Sequence, residues 1–243
     1  YIYYYKSFIM NIKITFIVMV YNEVETIKQA VLDVLNLPLK EKEIIVFDNH
    51  SDDGTVEILK DLEIKYPELK IIYREINMGC MSVIDGLRMA KGEYSFIHYT
   101  DLEYDQNKSI EMYELAKNNN LDVVLASRIK ERLKTESVFK IILNRPYFIA
   151  TLICTKLFNI FYKKNFTDII GTKIYKTESI RKIPYDNVFN GFDFAFISRI
   201  AKKNLKIDEV NIKYTPRATG EKKIKWYHIT VALFYMFKVK LFN

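Results

Sequence analysis

Asp101, Glu103 and Asp105 place carboxylates at alternate positions of a five-residue stretch. They follow a short apolar run, residues 94–98, behind Gly92, and such a run reads as a buried strand. In an open α/β sheet, ligands bind beyond the carboxyl ends of the strands. Side chains two apart on extended chain point to the same side, so Asp101 and Glu103 can share one cation. A hard divalent ion prefers oxygen ligands and often also holds a substrate phosphate. The alternative is an acidic turn that only solvates the strand end. A basic counterpart follows later: Arg128, Lys130, Arg132 and Lys134 alternate along one loop, and Arg217, Lys222, Lys223 and Lys225 cluster further on.

The bulk of the chain narrows the chemistry. It has 243 residues, enough for one large domain or a domain with a small appendage. Hydrophobic residues make up 49% and charged residues 28%, the balance of a folding chain. The net charge of +7 suits an anionic substrate or an anionic membrane surface. No nucleic-acid-binding signature accompanies it, so no nucleic acid partner is expected. Cys80 and Cys154 lack CxxC spacing, which predicts a reducing, cytoplasmic setting and no zinc site. No signal-peptide pattern and no long uncharged apolar run are present. The first methionine is Met10, so residues 1–9 read as an extension.

The elements that must position these residues alternate. Residues 13–20 form a β-branched apolar run, the pattern of a strand covered on both faces. Asn22 is a candidate helix cap, with Glu25 completing a capping box, and Val24, Ile27, Val31 and Val34 recur at helical spacing until Pro38. A strand at 43–47 ends in Asp48, a helix carries Val56, Leu59 and Leu62, and a third strand covers 69–73. A helix over 79–91 closes at Gly92 as a C-cap, and the strand at 94–98 is fourth. Strands at 122–126 and 210–214 follow, separated by the apolar stretch 141–162, which Arg145, Pro146 and Lys156 interrupt. That stretch reads as a core helix or as one lying in a membrane interface. The fold class is therefore α/β, a Rossmann-like, doubly wound, mainly parallel sheet. The expected organisation is one domain over 10–225, with a nucleotide-binding half at 10–126 and an acceptor half at 127–225. An amphipathic segment over 226–243 follows it.

Several stretches together resemble the family 2 glycosyltransferases. They are Val-Tyr-Asn-Glu (20–23), Ile-Ile-Val-Phe-Asp-Asn-His-Ser-Asp-Asp-Gly-Thr (44–55), Asn77-Met-Gly79 through Gly86-Leu87, and Ala-Lys-Gly-Glu-Tyr (90–94) with the acidic stretch after it. The later motifs 122–128, 167–173 and 214–220 are similar to the branch of dolichyl- and polyprenyl-phosphate sugar synthases. The resemblance spans about residues 12–225. It implies a GT-A fold and inverting transfer of a sugar from a nucleoside-diphosphate sugar. The acceptor would be a polyprenyl phosphate or a glycan, and the protein would lie peripherally on the cytoplasmic face of an anionic membrane.

By that resemblance Tyr21, Glu23, Asp48, Gly79 and Thr100 bind the nucleotide. Tyr21 and Glu23 lie at the first strand–helix turn, where backbone N–H groups and the helix dipole favour phosphate. Asp48 would accept hydrogen bonds from base or ribose in a solvent-filled cleft; its alternative is the cap of the next helix, though Ser51 and Asp52 are better placed to cap. Asp101 and Glu103 would hold a Mg or Mn ion against the diphosphate. Arg128 and Arg217 match arginines that contact a lipid phosphate, for which a planar fork is suited, or else are surface or ion-paired. Asp168 matches an acid near the acceptor or caps a helix.

The chain also departs from the pattern. Tyr99 stands where the first acid of the metal motif is usual, Met19 where a Pro is usual, and Ile197 where relatives often carry an acid, leaving Asp193. His50 and His98 are expected in a turn or the core. Two other readings follow: transfer to a hydroxyl of a surface glycan, which needs a general base, and a nucleotide-sugar-binding module without turnover.

Overall fold

The computed structural model describes residues 11–144, 148–185, 191–215 and 228–242. Its first strand, β1 (Ile14–Val20), is buried along its whole length except at half-buried Met19. Alternation splits its side chains between two cores. Phe16, Val18 and Val20 join one cluster with Ile27, Val31 and Val34 of α1 (Ile27–Leu35) and with Leu59 and Leu62 of α2 (Thr55–Lys65). Ile17 turns to the other face, which holds Val83, Ile84 and Leu87 of α3 (Ser82–Met89). Helices cover both faces, which is why the strand carries no polar alternation.

β2 (Lys42–Asp48), β3 (Leu69–Tyr73) and β4 (Tyr94–Tyr99) pair in parallel with this frame. α4 (Lys108–Asn118) leads to β5 (Val123–Ser127). Then come α5 (Arg132–Thr135), α6 (Val138–Asn144) and α7 (Phe148–Tyr162). After these the chain returns through β6 (Lys173–Lys176), α8 (Thr177–Arg181), α9 (Phe192–Lys202), β7 (Ile207–Asn211) and α10 (His228–Phe242). Among the described residues the sheet order is β3-β2-β1-β4-β6-β5-β7. β6 is antiparallel to both neighbours, and β7 is parallel to β5. The two halves expected from sequence thus share one sheet, because β6 is inserted between β4 and β5.

Four sequence expectations change. β6 was not foreseen, because a four-residue strand starting and ending in lysine does not read as core. Yet Lys173 is only 2% exposed, its ammonium donating to the Gly171 carbonyl at 2.9 Å. The last strand starts at Ile207, three residues before the run at 210–214. Its acid Glu209 is buried because it accepts hydrogen bonds from Thr167 and Asp168. Asn22 caps no helix; it has a φ of 51°, and α1 starts only at Ile27. Gly92 is no left-handed C-cap either: a Cβ there would lie 2.5 Å from the Thr15 nitrogen, so close approach to β1 demands glycine.

Gly171 carries the same constraint more severely. An added Cβ would stand 1.9 Å from the Ala126 carbonyl oxygen, so the backbone of β5 or of the turn must move. Gly171→Ala is expected to lower stability by about 2–3 kcal/mol, measured by urea denaturation; an unchanged midpoint would contradict this packing.

Candidate active site

The carboxyl ends of β1, β2, β4 and β5 and the amino end of antiparallel β6 share one edge of the sheet. The loops after β1 and β2 are tied together side chain to backbone. Ser51, Thr55 and Asp53 accept hydrogen bonds from the N–H groups of Asn22, Glu23 and Val24 at 2.9–3.0 Å. Asn22 and Asp52 exchange two more. The amides of Thr26 and Ile27 donate to the Glu23 carbonyl. These donors, expected to cradle phosphate at the first turn, are therefore already used. The first turn offers no nest of free amides from Asn22, Glu23 and Val24, and the Glu23 carboxylate itself accepts from the Thr26 hydroxyl at 3.3 Å. Neither Ser51 nor Asp52 caps α2: its cap position is Gly54, at φ 102°, and Asp53 just before it accepts from the Thr55 amide at 3.0 Å.

Asp48 is only 1% exposed rather than facing open cleft. Its Oδ2 accepts from the Ser51 amide at 3.2 Å, while Oδ1 is buried with no partner among the described residues. A buried acceptor left unsatisfied costs about 1–3 kcal/mol, and a ligand N–H or O–H is one way to satisfy it. Nearby, Gly79 has a φ of 49° and begins a single 3-10 turn, Gly79–Met81, with its amide held by the Asn77 side chain. Positive φ is the reason for glycine at that position.

The acidic stretch is a turn, not the extended chain expected. Thr100 is buried and donates to the Met19 carbonyl at 3.2 Å. Leu102 has a φ of 55°, and Asp101 Oδ1 accepts from the Glu103 amide at 3.2 Å. The Thr215 amide donates to the Glu103 carbonyl at 3.0 Å, and Tyr104 bridges to Tyr214. Asp101 and Glu103 are thus positioned by the turn and by the segment after β7. Among the described residues no three His, Cys, Asp or Glu side chains converge as a ready metal site. Two carboxylates nevertheless suit Mg or Mn, which commonly take one or two carboxylates together with substrate phosphates. Tyr99 adds no charge. Burial and then Asp193 raise its phenol well above the ordinary value, so it stays protonated.

Beside Tyr99 lies a group that sequence reasoning left without a role. Asp193, in the first turn of α9 after Gly191 at φ 97°, stands 3.9 Å from buried Lys173. Burial, then Asp193, pushes the Cys80 thiol up to about 12. His98 is a core residue, its imidazole pushed down to about 4 by burial, with Nε2 3.2 Å from the Ala30 carbonyl oxygen.

At the end of β5 Arg128 and Asp168 meet. Nε donates to Oδ2 at 2.6 Å and Nη2 to Oδ1 at 3.1 Å, a fork-to-fork pair. The guanidinium lies 5.3 Å from the Phe148 ring centre and 5.7 Å from that of Tyr214. Asp168 is fully buried and also accepts from the amides of Arg128, Ile170 and Gly171. Burial alone would raise its pKa, but Arg128 and these hydrogen bonds outweigh burial and hold the carboxyl below its usual range. Asp168 is therefore the buried partner of an arginine, not a helix cap. Arg217, Lys222 and Lys223 lie outside the described residues. A cavity of about 560 Å³ near Lys91, Lys176 and Arg181 opens at the opposite edge of the sheet and is no part of this site.

An α/β sheet with one antiparallel strand inserted, and an acidic turn at its carboxyl edge, is the architecture of GT-A glycosyltransferases. Residues 15–201 match the model of glycosyl transferase family 2, and the chain belongs to that family. It is 31% identical over 219 residues to the cholesterol galactosyltransferase of Borreliella burgdorferi, covering 85% of this chain and 60% of that protein. It is 28% identical over 218 residues to the dolichol-phosphate mannosyltransferase of Pyrococcus furiosus, covering 88% and 59%. The chain thus spans about three-fifths of the length of these curated relatives. A solved glucosyl-3-phosphoglycerate synthase from Mycobacterium tuberculosis, in complex with Mn2+, UDP and phosphoglyceric acid, superposes with a TM-score of 0.69 at 12% identity, over 95% of this chain and 79% of that one. The mannosyltransferase PcManGT from Pyrobaculum calidifontis, in complex with GDP-Man and Mn2+, gives 0.62 at 15% identity, over 95% and 70%.

Removing one partner of a buried ion pair leaves the other uncompensated, at a cost of about 3–5 kcal/mol. Asp168→Asn is expected to lose stability in that range. The pair has a pH signature, because the folded pKa of Asp168 is depressed. Its contribution is present above the ordinary carboxylate value of 3.8 and is lost as pH falls through the lower folded value. Denaturation midpoints measured from neutral pH down to strong acid should fall less steeply for Asp168→Asn; parallel curves would refute the pair's role.

Proposed function

We propose that the chain is an inverting glycosyltransferase that moves a sugar from a nucleoside-diphosphate sugar to a polyprenyl-type lipid phosphate, at the cytoplasmic face of a membrane. The observation that carries this reading is the juxtaposition, on one sheet edge, of the Asp101–Glu103 turn with an arginine oriented by Asp168 between two rings. In this reading Asp48 accepts from base or ribose through its unpartnered Oδ1. Tyr21, Glu23, Gly79 and Thr100 line the nucleotide beside it. Asp101 and Glu103 would hold a divalent ion, which supplies neutralisation of the leaving diphosphate when bound. Arg128, oriented by its pair with Asp168, meets the acceptor phosphate with the guanidinium edge that this pair leaves over, and Arg217, Lys222 and Lys223 add charge. An acceptor phosphate is already ionised, so attack needs no general base.

One observation favours a second reading, in which the acceptor is a lipid hydroxyl. The fork of Arg128 is occupied by Asp168, and Asp193 is a partly exposed acid near Tyr99. A hydroxyl must lose a proton as it attacks, and Asp193 could take it. The likeness to a cholesterol galactosyltransferase agrees with this reading, as the likeness to a dolichol-phosphate mannosyltransferase agrees with the first.

The two are separated by offering polyprenyl phosphate and a lipid alcohol side by side, with a panel of nucleotide sugars and Mn2+. Transfer to the phosphate is expected, abolished by Asp101→Ala and retained by Asp193→Asn. If only the alcohol is glycosylated, and Asp193→Asn costs about 100-fold or more, the hydroxyl reading holds. Nucleotide binding without turnover on any acceptor would leave a binding module.

The role of Asp48 is tested separately. Asp48→Ala should weaken nucleoside-diphosphate binding by about 1.5–3 kcal/mol, read by calorimetry with Mn2+ and with EDTA. Unchanged affinity would make Asp48 structural. Equal affinities of the native chain in the two buffers would remove the metal from the proposal.

A further inference from the structure

Helix α10 was expected to be amphipathic, and it is not. Ala232, Met236 and Val239 are buried, while Phe234, Phe237 and Leu241 are exposed on the outside. A helix that is apolar all round belongs in a core or in lipid, yet one face of α10 is open. α10 packs on α9 and α7, and the outward stripe of α7 is apolar except for Lys156: Ile149, Ile153 and Ile160 are exposed at helical spacing. The two stripes meet where the Phe161 and Phe237 rings lie 4.8 Å apart and the Lys240 ammonium donates to the Phe161 carbonyl at 2.7 Å.

The charge on these helices has one sign. Residues 138–165 and 226–243 hold no Asp or Glu, whereas the whole chain has 30. Their charged residues include Lys140, Lys156, Lys163, Lys164, Lys238 and Lys240. We infer that the α7–α10 face docks on an anionic lipid bilayer, lying in its interface with the isoleucine and phenylalanine stripes among the acyl chains and the lysines at the headgroups. Apolar area plus attraction to anionic lipid is what holds an interfacial helix. A second copy of the chain fits this face worse, because a two-fold contact would set lysines against lysines. Among the described residues no helix is long and apolar enough to cross a membrane: α7 and α10 have 15 described residues each, about 22 Å of helix against about 30 Å of hydrocarbon.

This face deepens the lipid-acceptor reading, on which its functional meaning rests. α7 starts at Phe148, whose ring lies against Arg128, and its exposed stripe begins at the next residue. A protein docked by α7 would therefore hold Arg128 near the headgroup level, where a lipid acceptor presents its polar end.

The test is flotation of the full chain with phosphatidylcholine vesicles, with and without phosphatidylglycerol. Binding is expected only with the anionic lipid. A variant carrying Ile153→Gln, Ile160→Gln, Phe234→Gln and Leu241→Gln should bind at least about tenfold more weakly. A second variant, Lys156→Gln with Lys163→Gln, should lose several-fold and weaken further with salt. Circular dichroism melts confirm that both variants fold, and the lysine variant, which leaves all packing intact, serves if the first does not. No binding to anionic vesicles, or equal binding by the variants, would overturn the inference. So would a native dimer in light scattering that the glutamine variant dissolves. Transfer to a short-chain, water-soluble acceptor should be the same for all variants. Vesicle binding without transfer to any lipid acceptor would sink the acceptor reading and leave the docking face standing.

Discussion

A single buried carboxylate, Asp168, decides how the second half of the chain joins the first. A charge at zero exposure is tolerable only when it is paired and hydrogen-bonded, and Asp168 meets both conditions. It binds the Arg128 side chain through two bonds, and it accepts from the amides of Arg128, Ile170 and Gly171. Glu209 of β7 holds the backbone of Thr167 and Asp168 from the other side. Burial pushes the Glu209 pKa up against those hydrogen bonds, so the two acids respond to pH in opposite senses. The end of β5, the turn before β6 and the edge strand β7 are thereby joined at one point, which lets β6 run antiparallel between β4 and β5.

The same edge divides polar groups into those consumed by the fold and those left over. The amides after β1 are consumed by Ser51, Asp53 and Thr55, and the Arg128 fork by Asp168. Left over is Asp48 Oδ1, while Asp101 and Glu103 are held in a turn at the surface. Beside them Tyr99, raised well above the ordinary phenol value by burial and then by Asp193, keeps its proton where a third carboxylate would have repelled the other two. At the end of β5, Arg128 is framed by the rings of Phe148 and Tyr214.

The flank of the molecule follows from the core. α9 buries Phe192, Phe196, Ile197 and Ile200 and needs a cover, and α7 and α10 supply it. A helix apolar on one face would suffice for that. The second apolar face of α10 and the isoleucine stripe of α7 add nothing to the core, so their composition answers to something outside it.

Much of the fold was legible in the residues. Continuous apolar runs located β1, β2 and β3 to within a residue or two: β1 and the second half of β2 are buried on both faces, and the edge strand β3 still shows Leu69, Ile71 and Ile72. The order of motifs also located Asp48, Asp101, Glu103 and Arg128 on one edge, since parallel strands send their carboxyl ends the same way. What failed depended on partners distant in sequence. β6 and β7 carry Lys173 and Glu209, buried only because carbonyls and amides from other segments satisfy them, and no local pattern announces such a partner. Asn22 looked like a helix cap but is bound by Asp52, thirty residues on. Asp101 and Glu103 looked like neighbours on extended chain until Leu102 reversed direction, a backbone choice supported from Thr215 by a bond that only the fold brings into reach. Residue types determined which strands form and which chemistries are available. Tertiary structure decided which polar groups were already satisfied, because hydrogen bonds and ion pairs are settled by proximity in space and not along the chain.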